Sequence, residues 1–203
     1  MNNSKLLTEF LGTFFLVTIV AFTGNPLAIG VALMLLVYSG GHVSGAHFNP
    51  AVTLAIYLKK LISQQEAISY VVAQALGGFC AAVFYALTHD SLFLPGPTDI
   101  SWFGALAVEA IFTFLLVRTI LFVATDSRIK DNQFFGLAIG GALMVAAFAG
   151  GPLSGGAFNP VVGVVPLLLD VNSLSAHLTT IALYILGPCL GAFAAYQVDS
   201  IKR

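Results

Sequence analysis

The sequence predicts an all-α membrane protein, with six transmembrane helices and two re-entrant half-helices arranged as an inverted 3+3 repeat. Three observations lead there. Of 203 residues, 58% are apolar and 8% charged; a soluble domain carries about 25% charged residues, so this chain cannot cover a surface that faces water. Six apolar stretches are each long enough to cross hydrocarbon. A nine-residue motif occurs twice, once in each half. The composition excludes an ordinary cytosolic enzyme and, with a mean hydropathy of +0.95, a disordered chain. A net charge of −1 without basic clusters argues against nucleic acid as a partner.

A helix needs about 20 apolar residues to cross about 30 Å of hydrocarbon. The first span is expected over roughly 6–23. It carries Glu9 and is followed at once by a second span over 26–41, so it does not read as a cleaved leader. A short apolar stretch after Asn49-Pro50, from Ala51 to Leu58, ends at Lys59-Lys60. The third and fourth spans are expected over 66–88 and 101–125, the latter too long and too uniformly apolar for a barrel strand. The fifth is expected over 133–151. A second short stretch follows Asn159-Pro160, from Val161 to Leu169, and stops at Asp170. The sixth span is expected over 178–198.

With six crossings, Lys5, Lys59, Lys60, Arg128, Lys130, Lys202 and Arg203 all fall on one face. The other face holds Asp90, Asp99 and Asp170 and no basic residue. An excess of Lys and Arg marks the cytoplasmic side, which places both termini in the cytoplasm, with the cell membrane as the expected location. Arg118 lies inside the fourth span, where snorkelling or pairing within the bundle is expected.

Ser44-Gly45-Ala46-His47-Phe48-Asn49-Pro50-Ala51-Val52 and Ser154-Gly155-Gly156-Ala157-Phe158-Asn159-Pro160-Val161-Val162 agree at six of nine positions. Glu9 to Val17 matches Glu109 to Val117, and Tyr70 to Ala81 matches Tyr184 to Ala195, in register. The chain therefore reads as a single channel domain over 1–203, with halves of about 1–95 and 100–203. Each half has three spans, an odd number, so the second enters the membrane from the opposite side. In such folds the functional site lies near the midplane where the halves meet.

Each Asn-Pro stretch of about ten residues makes a helix of about 15 Å, half a bilayer. Asn is a preferred N-cap and Pro suits the first helical position. The Ser-Gly-Ala and Ser-Gly-Gly segments before them must run as irregular backbone at membrane depth. That is tolerated only in protein or beside a water-filled cavity, so the topology predicts a pore. Two helix N-termini meeting there present about half a positive charge each and repel cations. Each Asn carbonyl can cap its own helix while its NH2 donors face the passage. A water accepting from both is oriented so that the proton wire breaks.

Glu9 and Glu109, inside spans, are expected to accept hydrogen bonds from N–H groups of the re-entrant loops. His42 and His47 flank the first loop and are expected to support it rather than to bind metal. Gly77, Gly78, Gly187 and Gly191 are expected at close helix contacts, and Cys80 and Cys189 as buried thiols. No nucleophile–base constellation, metal-ligand set or cofactor motif is present, and catalysis is not expected.

Gly41 to Thr53, with the second Asn-Pro motif and both intramembrane Glu residues, resembles the major intrinsic proteins, the aquaporins and glycerol facilitators. The resemblance covers essentially the whole chain. It implies an aquaporin-like fold, a homotetramer with one pore per protomer, and pore residues at Asn49, Pro50, Ala51, Asn159, Pro160 and Val161. Counting from the motifs puts the outer selectivity filter at Ile29, Ala147, Gly156 and Val162. Val161 stands where the family usually has Ala, and Val162 where most members carry Arg. The implied filter is apolar, uncharged and wider, with no cysteine to react with mercurials. The expected function is a passive channel for water or small uncharged solutes that excludes protons and ions. Alternatives are a facilitator for glycerol, urea or ammonia with little water flux, a secondary transporter, and a structural membrane protein with a vestigial pore.

Overall fold

The computed structural model describes residues 3–129 and 131–201. Lys130, Lys202 and Arg203, counted above on the basic face, lie outside them. Eight α-helices follow in order: α1 (Asn3–Thr23), α2 (Pro26–Ser44), α3 (Pro50–Leu58), α4 (Gln64–His89), α5 (Trp102–Thr125), α6 (Phe135–Ser154), α7 (Pro160–Leu169) and α8 (Leu174–Ile201), with a 3-10 turn at Ser127–Ile129 before α6. Six are long and apolar enough to cross a membrane. The other two, α3 with 9 residues and α7 with 10, are half-helices.

Caps set most helix starts. The Asn25 side chain accepts from the N–H groups of Leu27 and Ala28, with Pro26 in the first turn. Asn49 and Asn159 repeat the arrangement for α3 and α7. Ser63 caps α4 and Ser101 caps α5. These polar starts carry α4 two residues beyond the span read from hydropathy. Both α2 and α6 run three residues past their expected ends, through paired glycines, because a left-handed Gly closes each: Gly45 (φ 91°) and Gly155 (φ 90°) donate back to Gly41 and Gly151. This is the Gly-closed helix end that satisfies last-turn carbonyls.

The two halves repeat one packing pattern. α1 lies against α4, α5 lies against α8 in the same way, and α2 against α6 joins the halves. Small residues permit the approach. A Cβ on Gly77 would sit 2.3 Å from the Phe10 carbonyl, and one on Gly191 2.2 Å from that of Ala110. Gly187 and Gly78 press equally closely on Glu109 and Val161. The interior is mostly apolar but holds fully buried polar groups, Glu9, Thr13, Gln74, Glu109 and Thr113, whereas large apolar side chains such as Leu7, Leu35, Leu87, Phe103 and Ile111 are exposed on the outside. Such a surface is stable only in lipid. Cys80 departs from expectation: it is exposed on this outer surface, and Cys189 is half-buried. The α4–α5 connection folds back over the end of α6, where the Thr98 N–H and hydroxyl reach the carbonyls of Leu153 and Pro152.

Candidate functional site

The half-helices meet tip to tip, and their caps interlock. Asn49 Oδ1 accepts from the Ala51 N–H at 2.8 Å while its Nδ2 donates across the molecule to the Phe158 carbonyl at 2.9 Å. Asn159 does the same with Val161 at 3.0 Å and the Phe48 carbonyl at 2.9 Å. Phe48 and Phe158 hold the left-handed backbone needed to turn those carbonyls, at φ 52° and 46°. That conformation costs about 1–2 kcal/mol for a residue with a side chain. Burial of both rings offsets it. The sequence reading aimed both N–H groups of each Asn amide at the passage; one of the two is instead committed to joining the halves.

Each loop is held from behind by a carboxylate. Glu9 accepts from Ser44 Oγ (2.6 Å), the His47 N–H (3.0 Å), the Phe48 N–H (2.7 Å) and Gln74 Nε2 (2.8 Å). Glu109 accepts from Ser154 Oγ (2.7 Å), the Ala157 N–H (3.0 Å) and the Phe158 N–H (2.7 Å). Tyr70 and Tyr184 add hydroxyl donors to the Ser44 and Ser154 carbonyls. The first half holds a richer network: Gln74 and His47 both reach Thr53 Oγ1, at 3.0 and 3.1 Å. In the second half Pro188, Ala157 and Gly163 occupy the matching places, and the Tyr184 ring packs directly on Gly163. His42 is exposed and makes no hydrogen bond to the loop among the described residues. It borders a cavity of about 320 Å³ on the basic side.

Beside the joined tips runs a narrow cavity of about 20 Å³, room for the centres of one or two waters. Asn49, Asn159, His47 and Gly156 line it. Four helices contribute one i, i+4 apolar pair each: Leu16 with Val20, Ile29 with Leu33, Leu116 with Ile120, and Ile139 with Leu143. The pairs from α1 and α5 occupy matching positions of the repeat, as do those from α2 and α6. Sequence reasoning missed these except Ile29; their i, i+4 spacing and their recurrence in both halves were the available signal. Ala46, His47, Gly156 and Ala157 also wall the cavity, and their carbonyls accept no hydrogen bond from the described residues.

Of the four positions counted as a filter, Ile29, Gly156 and Val162 line this cavity; Ala147 is buried outside it. Val162, at the position where most members of the resembled family carry Arg, puts an uncharged apolar side chain in this lining beside Ile29. Pro50, Ala51, Pro160 and Val161 lie outside the lining. Ala51 packs with Val117 and Leu121, and Val161 with Val17 and Ala81, so they seat the half-helices rather than face the cavity. Arg118 approaches Asp199 at 3.7 Å.

A profile of the family described as Major intrinsic protein matches residues 1–198. The chain is similar to Aquaporin NIP1-1 of Zea mays, 36% identical over 98% of this chain and 74% of that protein. It is similar to Glycerol uptake facilitator protein-like 6 of Lactiplantibacillus plantarum, 38% identical over 94% of each. Its fold is similar to the X-ray structure of the aquaglyceroporin from Plasmodium falciparum, with TM-score 0.80 and 22% identity over 96% of this chain and 94% of that one.

Proposed function

The chain belongs to the major intrinsic protein family and is a passive membrane channel for water and small neutral solutes; we propose that its passage runs beside Asn49 and Asn159 and excludes ions and protons. The observation that carries this is the reciprocal bonding of the two amides at the wall of a cavity. Each amide has two N–H groups and commits one to the opposite loop. The other is available to a passing oxygen. Carbonyls of Ala46, His47, Gly156 and Ala157, without protein donors, supply acceptors along the same wall.

The remaining walls are apolar, so an ion would shed its hydration without replacement, at a cost of many kcal/mol. The N-termini of α3 and α7 add positive potential at the narrowest region. A water that accepts from both Asn donors points its hydrogens away from each, which interrupts proton hopping. Val162 gives the filter no charged donor, so selection rests on width and on tolerance of apolar surface. Water is the default permeant. The apolar side chains that dominate the wall support a second reading, small neutral solutes such as glycerol, urea or ammonia.

Both termini are assigned to the cytoplasm, supported by Lys5, Lys59, Lys60 and Arg128 on one end of the bundle and Asp90, Asp99 and Asp170 on the other. The assembly is a homotetramer in the cell membrane, consistent with the apolar outer faces. Stopped-flow light scattering on proteoliposomes, run with water and then with glycerol, urea and ammonia gradients, tests the permeant. Acceleration for water alone or for water with solutes supports the first reading. Acceleration for solutes only supports the second. Rates equal to empty vesicles throughout remove the channel.

A further inference from the structure

At the basic end of the bundle, away from the passage, lies a second polar cavity of about 350 Å³, within the size range of small-ligand pockets. Lys59 closes α3 on one side of it, Arg118 and Thr125 come from α5, Asp199 from α8, and Asp126 and Arg128 from the turn after α5. Three cations thus face two carboxylates, a surplus of one positive charge. The carboxylates are already engaged. Asp199 takes Lys59 Nζ at 2.7 Å, and Asp126 takes Arg128 Nε at 2.9 Å and also its Nη2. Lys59 is further satisfied by Thr125 Oγ1 at 2.6 Å.

Arg118 is the least satisfied of the three. Its guanidinium lies 6.0 Å from the Phe122 ring centroid and makes no hydrogen bond to any described residue; its buried Nη1 has only a long ion pair with Asp199 Oδ1, at 3.7 Å. A buried donor without an acceptor is costly, and a planar guanidinium matches a tetrahedral oxyanion in bidentate fashion. Arg118 sits seven residues before Thr125, about 10 Å below the end of α5. The cavity therefore spans from the exposed Arg128, through the depth of a lipid headgroup, to the guanidinium.

We propose that this cavity is a phosphate-binding site, with Arg118 as the inner ligand and Arg128 as the outer one, and that it takes the phosphodiester of an anionic phospholipid or a free phosphate. Basic pockets between transmembrane helices are suited to such headgroups. Because Lys59 closes the half-helix α3, occupation of the site braces one of the two elements that meet at the passage.

The purified protein in neutral detergent tests this by its thermal midpoint, with three additions: short-chain phosphatidylglycerol, short-chain phosphatidylcholine and inorganic phosphate. Phosphatidylglycerol or inorganic phosphate is expected to raise the midpoint by about 5 °C at saturation; whichever acts identifies the source. Phosphatidylcholine, whose choline opposes the surplus charge, is expected to raise it less than half as much. R118Q is expected to abolish the rise. R128Q, at an exposed residue, is expected to weaken binding at least tenfold, and it decides the matter if R118Q fails to fold. No rise with either anion, or an equal rise in the wild type and in R128Q, overturns the site.

Discussion

Glu109 shows how much one buried side chain carries. Its two oxygens hold a hydroxyl and two N–H groups of the second loop. Glu109→Gln turns one oxygen into a donor that faces a donor, at a cost of about 3 kcal/mol. For a chain of this size the thermal midpoint is expected to fall by about 10 °C, and Glu9→Gln, which loses its place in a four-donor site, by at least as much. A midpoint within 2 °C of wild type would show that the loops stand without the carboxylates. At the filter, Val162→Arg introduces a charged donor into a passage with none. It is expected to change the ratio of water to glycerol permeability severalfold in vesicle flux assays. An unchanged ratio would mean that selection occurs elsewhere than at Ile29, Gly156 and Val162. Individual residues were the least legible from sequence. That Glu9 and Glu109 support the loops followed from their depth and their register with the motif. The partners of the Asn amides did not, because Asn49 and Phe158 are 109 positions apart and only the packed fold decides which donor meets which acceptor. Ala147, buried but not in the lining of this cavity, makes a related point: counting along the chain fixes a position on a helix but not which way that position faces.

At the scale of elements, α8 anchors both half-helices at their blunt ends. Lys59, the cap of α3, is bound to Asp199 near one end of α8. Asp170, the cap of α7, is bound to His177 near the other, at 3.0 Å. The first contact is buried and the second more exposed, so they respond differently to solution conditions. Asp170 is held below its usual range chiefly by the hydrogen bond from His177; desolvation opposes this, and the Ser173 hydrogen bonds and the charge of His177 add smaller lowering effects. A depressed carboxylate contributes stability that is fully present above its unfolded value of about 4 and lost as pH falls through the folded value. Asp170→Asn should therefore lower the thermal midpoint at pH 6–7, with the gap to wild type closing as pH is taken toward 3. A gap that stays constant with pH would mean that the pair does not anchor α7. Elements were the most legible level. Hydropathy located all eight helices because hydrocarbon demands a run of apolar residues whatever the tertiary partners. Where polar caps or left-handed glycines act, the ends of α2, α4 and α6 were displaced by two or three residues, since neither registers in hydropathy.

For the whole molecule, large apolar side chains cover the outside, and the two halves are joined by α2 against α6 and by the interlocked Asn caps. Such a molecule needs lipid outside and a partner for any apolar face that lipid does not cover. Native mass spectrometry from mild detergent is expected to give the mass of four chains; a stable monomer would remove the proposed tetramer. The inverted repeat was legible from parity alone, because two matched motifs in three-span halves cannot face the same way. The lining of the passage was not, because which apolar side chains bound it, Ile29 and Val162 among them, depends on how the helices pack. The central claim is that one narrow passage beside two joined half-helices carries neutral molecules and stops protons. Its most direct test is simultaneous stopped-flow shrinkage and internal pH recording on proteoliposomes under osmotic and proton gradients. The expected result is shrinkage severalfold faster than in empty vesicles, with internal pH drifting no faster. Shrinkage at the empty-vesicle rate, or a pH change that rises in step with protein content, would contradict it.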